Sequence, residues 1–79
     1  MSTMIFGTVY DSGSTVLTGA TVTVPGCTVS NNNGSYFVNV PGTGTYQVTA
    51  SCANYTPKTT PVAISFGQLK SQDFHLNHI

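Results

Sequence analysis

The sequence predicts an all-β fold, a sandwich of two packed sheets, and three observations carry that expectation. Apolar residues recur at every second position, most clearly in Tyr36, Val38, Val40 and again in Tyr46, Val48, Ala50, Cys52. Such alternation buries one side of a strand and wets the other. Clusters of Gly, Pro, Asn, Asp and Ser punctuate these runs every ~8–12 residues, the spacing of short strands joined by turns. No ten-residue stretch carries an apolar stripe at helical spacing.

Taken in order, the chain reads as seven strands. Residues 4–10 form the first, with Ile5, Gly7 and Val9 on one face. Asp11, Ser12, Gly13 and Ser14 have turn chemistry. A second strand over 20–24 points Ala20, Val22 and Val24 inward and ends at Pro25-Gly26. Residues 28–30 make a short third strand, followed by the turn Asn31-Asn32-Asn33-Gly34, whose Asn-Gly pair is a strong hairpin signal. The runs 36–40 and 46–52 are expected to pair as an antiparallel hairpin across Pro41-Gly42-Thr43-Gly44. After a corner at 53–57, a sixth strand over 59–64 carries Val62 and Ile64. Phe66-Gly67-Gln68 turns the chain into a last strand, 69–76, with Phe74 and Leu76 inward.

Composition narrows the function. Residues 1–79 suffice for one domain with a thin core. Only Lys58, Lys70, Asp11 and Asp73 are charged, with no Arg and no Glu, and the formal net charge is zero. That removes the positive footprint required for nucleic acid or an anionic membrane surface. No apolar run reaches the ~18–20 residues that span a bilayer. The first seven residues lack the basic and apolar regions of a secretory signal, so a mature chain or one exported by another route is expected.

Cys27 and Cys52 are the two cysteines. They are either a disulfide closing a loop of about 25 residues, worth ~3 kcal/mol, or two buried thiols. Neither a CxxC nor a Cys/His cluster accompanies them, which speaks against redox catalysis and structural zinc.

Other polar groupings have plain structural readings. Asp73, His75 and His78 crowd the C-terminal end, but Asp73 and His75 share one strand face and no further metal ligand can be named. Asn31 to Gly34 lacks the carboxylates of a calcium loop. Asn33-Gly34-Ser35 and Asn54-Tyr55-Thr56 match the N-glycosylation pattern, as chance allows in a chain rich in these residues. A glycosidase pair would require Asp11 and Asp73 to meet across an apolar site, and no Ser, His and Asp set singles out a triad. No catalytic, cofactor or metal residues are assigned. The informative residues are aromatics off the inward phase or in corners: Phe6, Tyr10, Phe37, Tyr55 and Phe66. A small sandwich leaves such rings exposed, and a cluster of them marks a protein contact surface.

These runs resemble a family in their order. Ile5-x-Gly7-x-Val9, Leu17-x-Gly19-Ala20-x-Val22-x-Val24, Asn33-Gly34-x-Tyr36, Pro41-Gly42 through Tyr46-x-Val48-x-Ala50, Tyr55 and Asp73-Phe74-x-Leu76 are similar to the carboxypeptidase regulatory-like domains. These belong with the prealbumin-like (transthyretin-like) and Cna B-type sandwiches. The resemblance implies a seven-stranded antiparallel Greek-key sandwich and a non-catalytic module of a secreted or virion protein. The chain departs from the Cna B-type pattern, since its lysines fall late and Glu is absent, so no isopeptide bond is expected; it also has too few charges for a transthyretin-like charged channel.

The expectation is therefore a non-enzymatic structural or interaction module with protein partners or copies of itself. An extracellular-style domain that starts with Met and lacks an export signal suits a virion, as a phage capsid decoration, tail or fibre protein. The alternatives are an adhesion or carbohydrate-binding module of a secreted protein and the subunit of a self-assembling extracellular filament.

Overall fold

The computed structural model describes residues 2–79; Met1, counted in the single domain read from the sequence, lies outside the described residues. These residues form β1 (Met4–Asp11), β2 (Thr21–Thr23), β3 (Val29–Asn32), β4 (Ser35–Asn39), β5 (Gly44–Ser51), β6 (Lys58–Ile64), β7 (Leu69–Ser71) and β8 (Phe74–Leu76), with no helix among them. One sheet has the order β3-β4-β1-β7, with β8 also paired to β1; the other has the order β2-β5-β6. The alternation delivers the core. Ile5, Val9, Tyr36, Val38, Phe74 and Leu76 from the first sheet bury against Val22, Val48, Ala50, Val62 and Ile64 from the second. Each large aliphatic or aromatic side chain so buried contributes about 1.5–3 kcal/mol, which makes this interface the chief force holding the sheets face to face.

The Asn-Gly hairpin forms as the sequence implies. Asn33 and Gly34 have φ of 50° and 94°, the two positive values that a type I′ turn demands. Asn31 and Asn32, expected in the turn, extend β3 instead, opposite Tyr36 and Ser35.

The expected central hairpin does not form. β4 pairs with β1 and β3, whereas β5 pairs with β2 and β6, so residues 40–43 arch from one sheet to the other. Alternation tells which side of a strand is buried, not which neighbour shares its hydrogen bonds, and both runs face one core from opposite sheets. The arch is held by the Val40 N–H to the Thr3 carbonyl at 3.0 Å, the Tyr46 hydroxyl to the Gly42 carbonyl at 2.8 Å, and the Phe66 N–H to Thr43 Oγ1 at 2.9 Å.

The chain also departs from seven antiparallel strands at its end. The expected strand 69–76 is two strands, β7 and β8, and both run parallel to β1. Their register is continuous: Met4 faces Leu69, Phe6 faces Ser71, and Val9 then faces Phe74. Between them Gln72 and Asp73 lift off the ladder without slipping it. The Gln72 N–H bonds the Phe6 carbonyl at 2.8 Å, and the Asp73 carboxylate accepts the Thr8 N–H at 2.8 Å in place of a backbone carbonyl. The Gln72 carbonyl accepts the buried Tyr36 hydroxyl. A Cβ at Gly7 would lie 2.1 Å from that carbonyl oxygen and 2.9 Å from Asp73 Oδ1. Only a residue without a side chain lets the crossing pass.

Gly7→Ala is accordingly expected to destabilise the fold by about 1–3 kcal/mol through overpacking, read as a lower urea midpoint. An unchanged midpoint would mean that the crossing is slack.

Candidate functional site

Side chains pointing away from the core on β1, β4 and β7 build the outer face of the larger sheet. Phe6 on β1 lies directly opposite Phe37 on β4, and they are 39% and 47% exposed. Met4 occupies the neighbouring outward position of β1, beside Leu69 at 62% exposure. At the other end of the strand Tyr10 stacks on His75 of β8, ring centroids 5.1 Å apart and planes 21° from parallel, and Val16 bridges to Tyr10. The polar residues between them are uncharged (Ser30, Ser35, Asn39, Ser71) except Asp73, whose carboxylate is occupied by the Thr8 N–H. The outcome is an apolar stripe along β1 in an uncharged surround.

Three of the five aromatics singled out from the sequence, Phe6, Phe37 and Tyr10, thus share one face. Phe66 does not join them. It stands 63% exposed in the β6–β7 turn, beside the arch. Tyr55 is half-buried against the core and edge-on to His78 at 4.9 Å. The sequence singles out neither Met4, Leu69 nor Val16 and offers His75 only as a metal ligand; the odd-numbered phase opposite Phe74 and Leu76 carries the signal for Leu69 and for His75 as a surface residue.

The polar groupings considered from the sequence are spread apart. Asp11 Oδ1 accepts the N–H groups of Gly13 and Thr15 at 2.8 and 2.9 Å, closing its own turn. Asp73 spans the ladder gap, His75 stacks on Tyr10, and His78 Nδ1 hydrogen-bonds the Ile79 carbonyl oxygen at 2.8 Å. Asn33 and Asn54 are exposed in turns with φ of 50° and 69°.

Cys27 and Cys52 are free and half-buried, and register sets them apart. Cys52 follows Ser51, the partner of Thr21, and its Sγ lies 4.0 Å from where a Gly19 Cβ would stand. Cys27 bridges Val24, past the other end of β2. The intervening strand, roughly 13 Å at ~3.3 Å per residue, exceeds the ~7 Å Cα limit for a disulfide.

Three of the edge strands, β2, β6 and β7, are guarded. The side-chain amide of Asn31 accepts the Val22 N–H at 2.8 Å and donates to the Val22 carbonyl at 3.2 Å, so it occupies the free edge of β2 as a further strand would. Pro61 and Lys58 lie in the edge strand β6 and Lys70 in β7, residues that discourage strand addition. The outer face has no such guard.

Tyr36, 3% exposed, has its phenol pKa driven well above the ordinary range, chiefly by burial and then by the negative charge of Asp73.

The model of the carboxypeptidase regulatory-like domain matches residues 4–77. Structural protein 27 of a virus (isolate Australia/Victoria) is 36% identical over 76 residues, which is 95% of this chain and 15% of that protein's length. Among solved structures, a chain of a type II cohesin–X-dockerin complex from Acetivibrio cellulolyticus, a C-terminal interface mutant, superposes with a TM-score of 0.64 at 23% identity. That match covers 94% of this chain and 56% of the other, and at such identity it speaks to the fold alone.

The folded state keeps Tyr36 neutral where the unfolded chain ionises it near pH ~10. The stabilisation is therefore complete below that pH and lost as pH rises above it. Melting temperature should fall through the alkaline range, and Tyr36→Phe should flatten that fall; an equal fall in the variant refutes the assignment. Thiol titration of the denatured, unreduced chain should find both cysteines reactive, and finding neither would demand a disulfide.

Proposed function

The chain belongs to the carboxypeptidase regulatory-like domain family, and from that premise we propose that it serves as a structural module of a virion, bound to protein neighbours through the outer face of its larger sheet. The observation that carries the reading is the Phe6–Phe37 pair. Two large rings stand level and exposed in the middle of a sheet face whose one charge, the Asp73 carboxylate, is already held by the Thr8 N–H. Contact patches of this kind place apolar and aromatic side chains at the centre with a polar rim. The guarded edges favour association by packing on the face over addition of a strand.

The virion setting is supported by the similarity to the viral Structural protein 27. The chain spans 15% of that protein's length, so the likeness concerns one module and not the roles of the remainder. On this reading the module acts by occupying a place in an assembly.

Density-gradient fractions of particles from a producing culture, probed with an antibody to this chain, provide the test. The chain should band with the particles. The double variant Phe6→Ser, Phe37→Ser should fold with an unchanged far-UV spectrum yet stay in the soluble fraction. Wild-type chain confined to the soluble fraction would overturn the virion setting, and a variant incorporated as well as wild type would overturn the role of the face.

A further inference from the structure

We propose that this domain is a tension-bearing link, built so that a pull along its long axis loads the β1·β7·β8 ladder in shear. β1 starts at Met4, level with Leu69, and ends at Asp11, level with Leu76. Because β7 and β8 run parallel to β1, the chain enters the sandwich at one pole and leaves from the other. Four strands side by side span only ~15–20 Å and two sheets lie ~10 Å apart, so the 37 Å extent of the 37 × 19 × 18 Å body follows the strands. The polypeptide thus enters and exits about one molecular length apart.

Opposed forces on β1 and β8 slide the two past each other. In that geometry every cross-strand bond stretches together, whereas a pull on two strand ends at the same pole opens bonds one by one. Parallel ladders suit sharing of load because their bonds are evenly spaced. Here the ladder has two three-residue stretches of pairing. The gap between them is closed by Thr8 N–H to Asp73 Oδ1, Gln72 N–H to the Phe6 carbonyl, and the Tyr36 hydroxyl to the Gln72 carbonyl. The Tyr36 bond ties the joint to β4, so load reaching β8 passes into a second strand. Each pole is also clasped. At the entry, the Gly67 N–H bonds the hydroxyl of buried Thr3 at 2.8 Å and Met4 N–H bonds the Gln68 carbonyl at 3.0 Å. At the exit, Thr56 N–H and Ile79 N–H bond the Asn77 and Asn54 carbonyls at 2.9 Å each. The inference is independent of the outer face and of the virion setting: force resistance belongs to the single domain, and its failure would leave the assembly reading untouched.

Single-molecule pulling tests it on one protein in two geometries. The variant Cys27→Ser, Cys52→Ser, Phe66→Cys carries handles at both chain ends and a thiol handle in the exposed β6–β7 turn. Pulling end to end shears the ladder; pulling between the first residue and position 66 unzips it from the entry pole. Both arms share one thermodynamic stability, so the comparison isolates geometry. The end-to-end rupture force should be at least about twofold higher at equal speed, since forced unfolding follows the unfolding rate. Asp73→Ala should lower the end-to-end force and leave the unzipping force unchanged. Wild-type chain pulled by its ends gives a check without new thiols: one rupture releasing roughly 230 Å, the extended chain at ~3.4 Å per residue less its folded length. Equal forces in the two geometries, or a gradual low-force lengthening of the wild-type chain, would overturn the proposal.

Discussion

Gly7 has no Cβ, and the Gln72 carbonyl can therefore ride over the inner side of β1 to meet the Tyr36 hydroxyl. Much of the larger sheet follows from that close approach. It lets the last strand lift away for two residues and rejoin in the same register, so that Leu69 and Leu76 flank the two ends of β1. It also supplies the acceptor that a buried phenol requires, since an unpaired buried hydroxyl would cost more than the bond returns. The Asp73 carboxylate completes the joint by taking the one β1 donor, Thr8 N–H, that the lifted strand no longer reaches.

A chain with four charged side chains has little with which to manage its surface, and where it places them is informative. Asp11 and Asp73 serve backbone N–H groups. Lys58 and Lys70 lie on β6 and β7, strands at sheet edges. The free edge of β2 is covered by the Asn31 amide. Edge protection has thus consumed most of the resources that would otherwise oppose association, and the outer face of the larger sheet is left open. A surface protected against one mode of contact and not another is selective in geometry even when it is not selective in charge.

Position along the chain and position in space combine to give a module with a direction. The arch at 40–43 and the β6–β7 turn lie at the pole where β1 begins. The Asp11 turn, the Asn33-Gly34 turn and the 53–57 corner lie at the pole where β8 ends. The apolar stripe runs between them along β1. A neighbour seated on the stripe would contact the strand through which an axial load would pass, so that attachment and strength would share one element.

The alternation of apolar and polar residues was enough to mark the buried hydrophobic side chains, because a period of two has one buried phase whatever the strand's partner. Asn33-Gly34 announced its own turn, since few other pairs tolerate two positive φ values. Pairing lay beyond the sequence. The runs at 36–40 and 46–52 look the same whether they share a sheet or face each other across a core, and only the packing of two sheets sends them apart. The same limit separated Cys27 from Cys52 and divided the aromatic set, placing Phe6 beside Phe37 while Phe66 and Tyr55 went elsewhere. The break between β7 and β8 rests on a contact between residues 65 positions apart in sequence. Nothing local at Gly7 or Gln72 encodes it, because the steric room that permits it exists only once the first and last strands lie side by side.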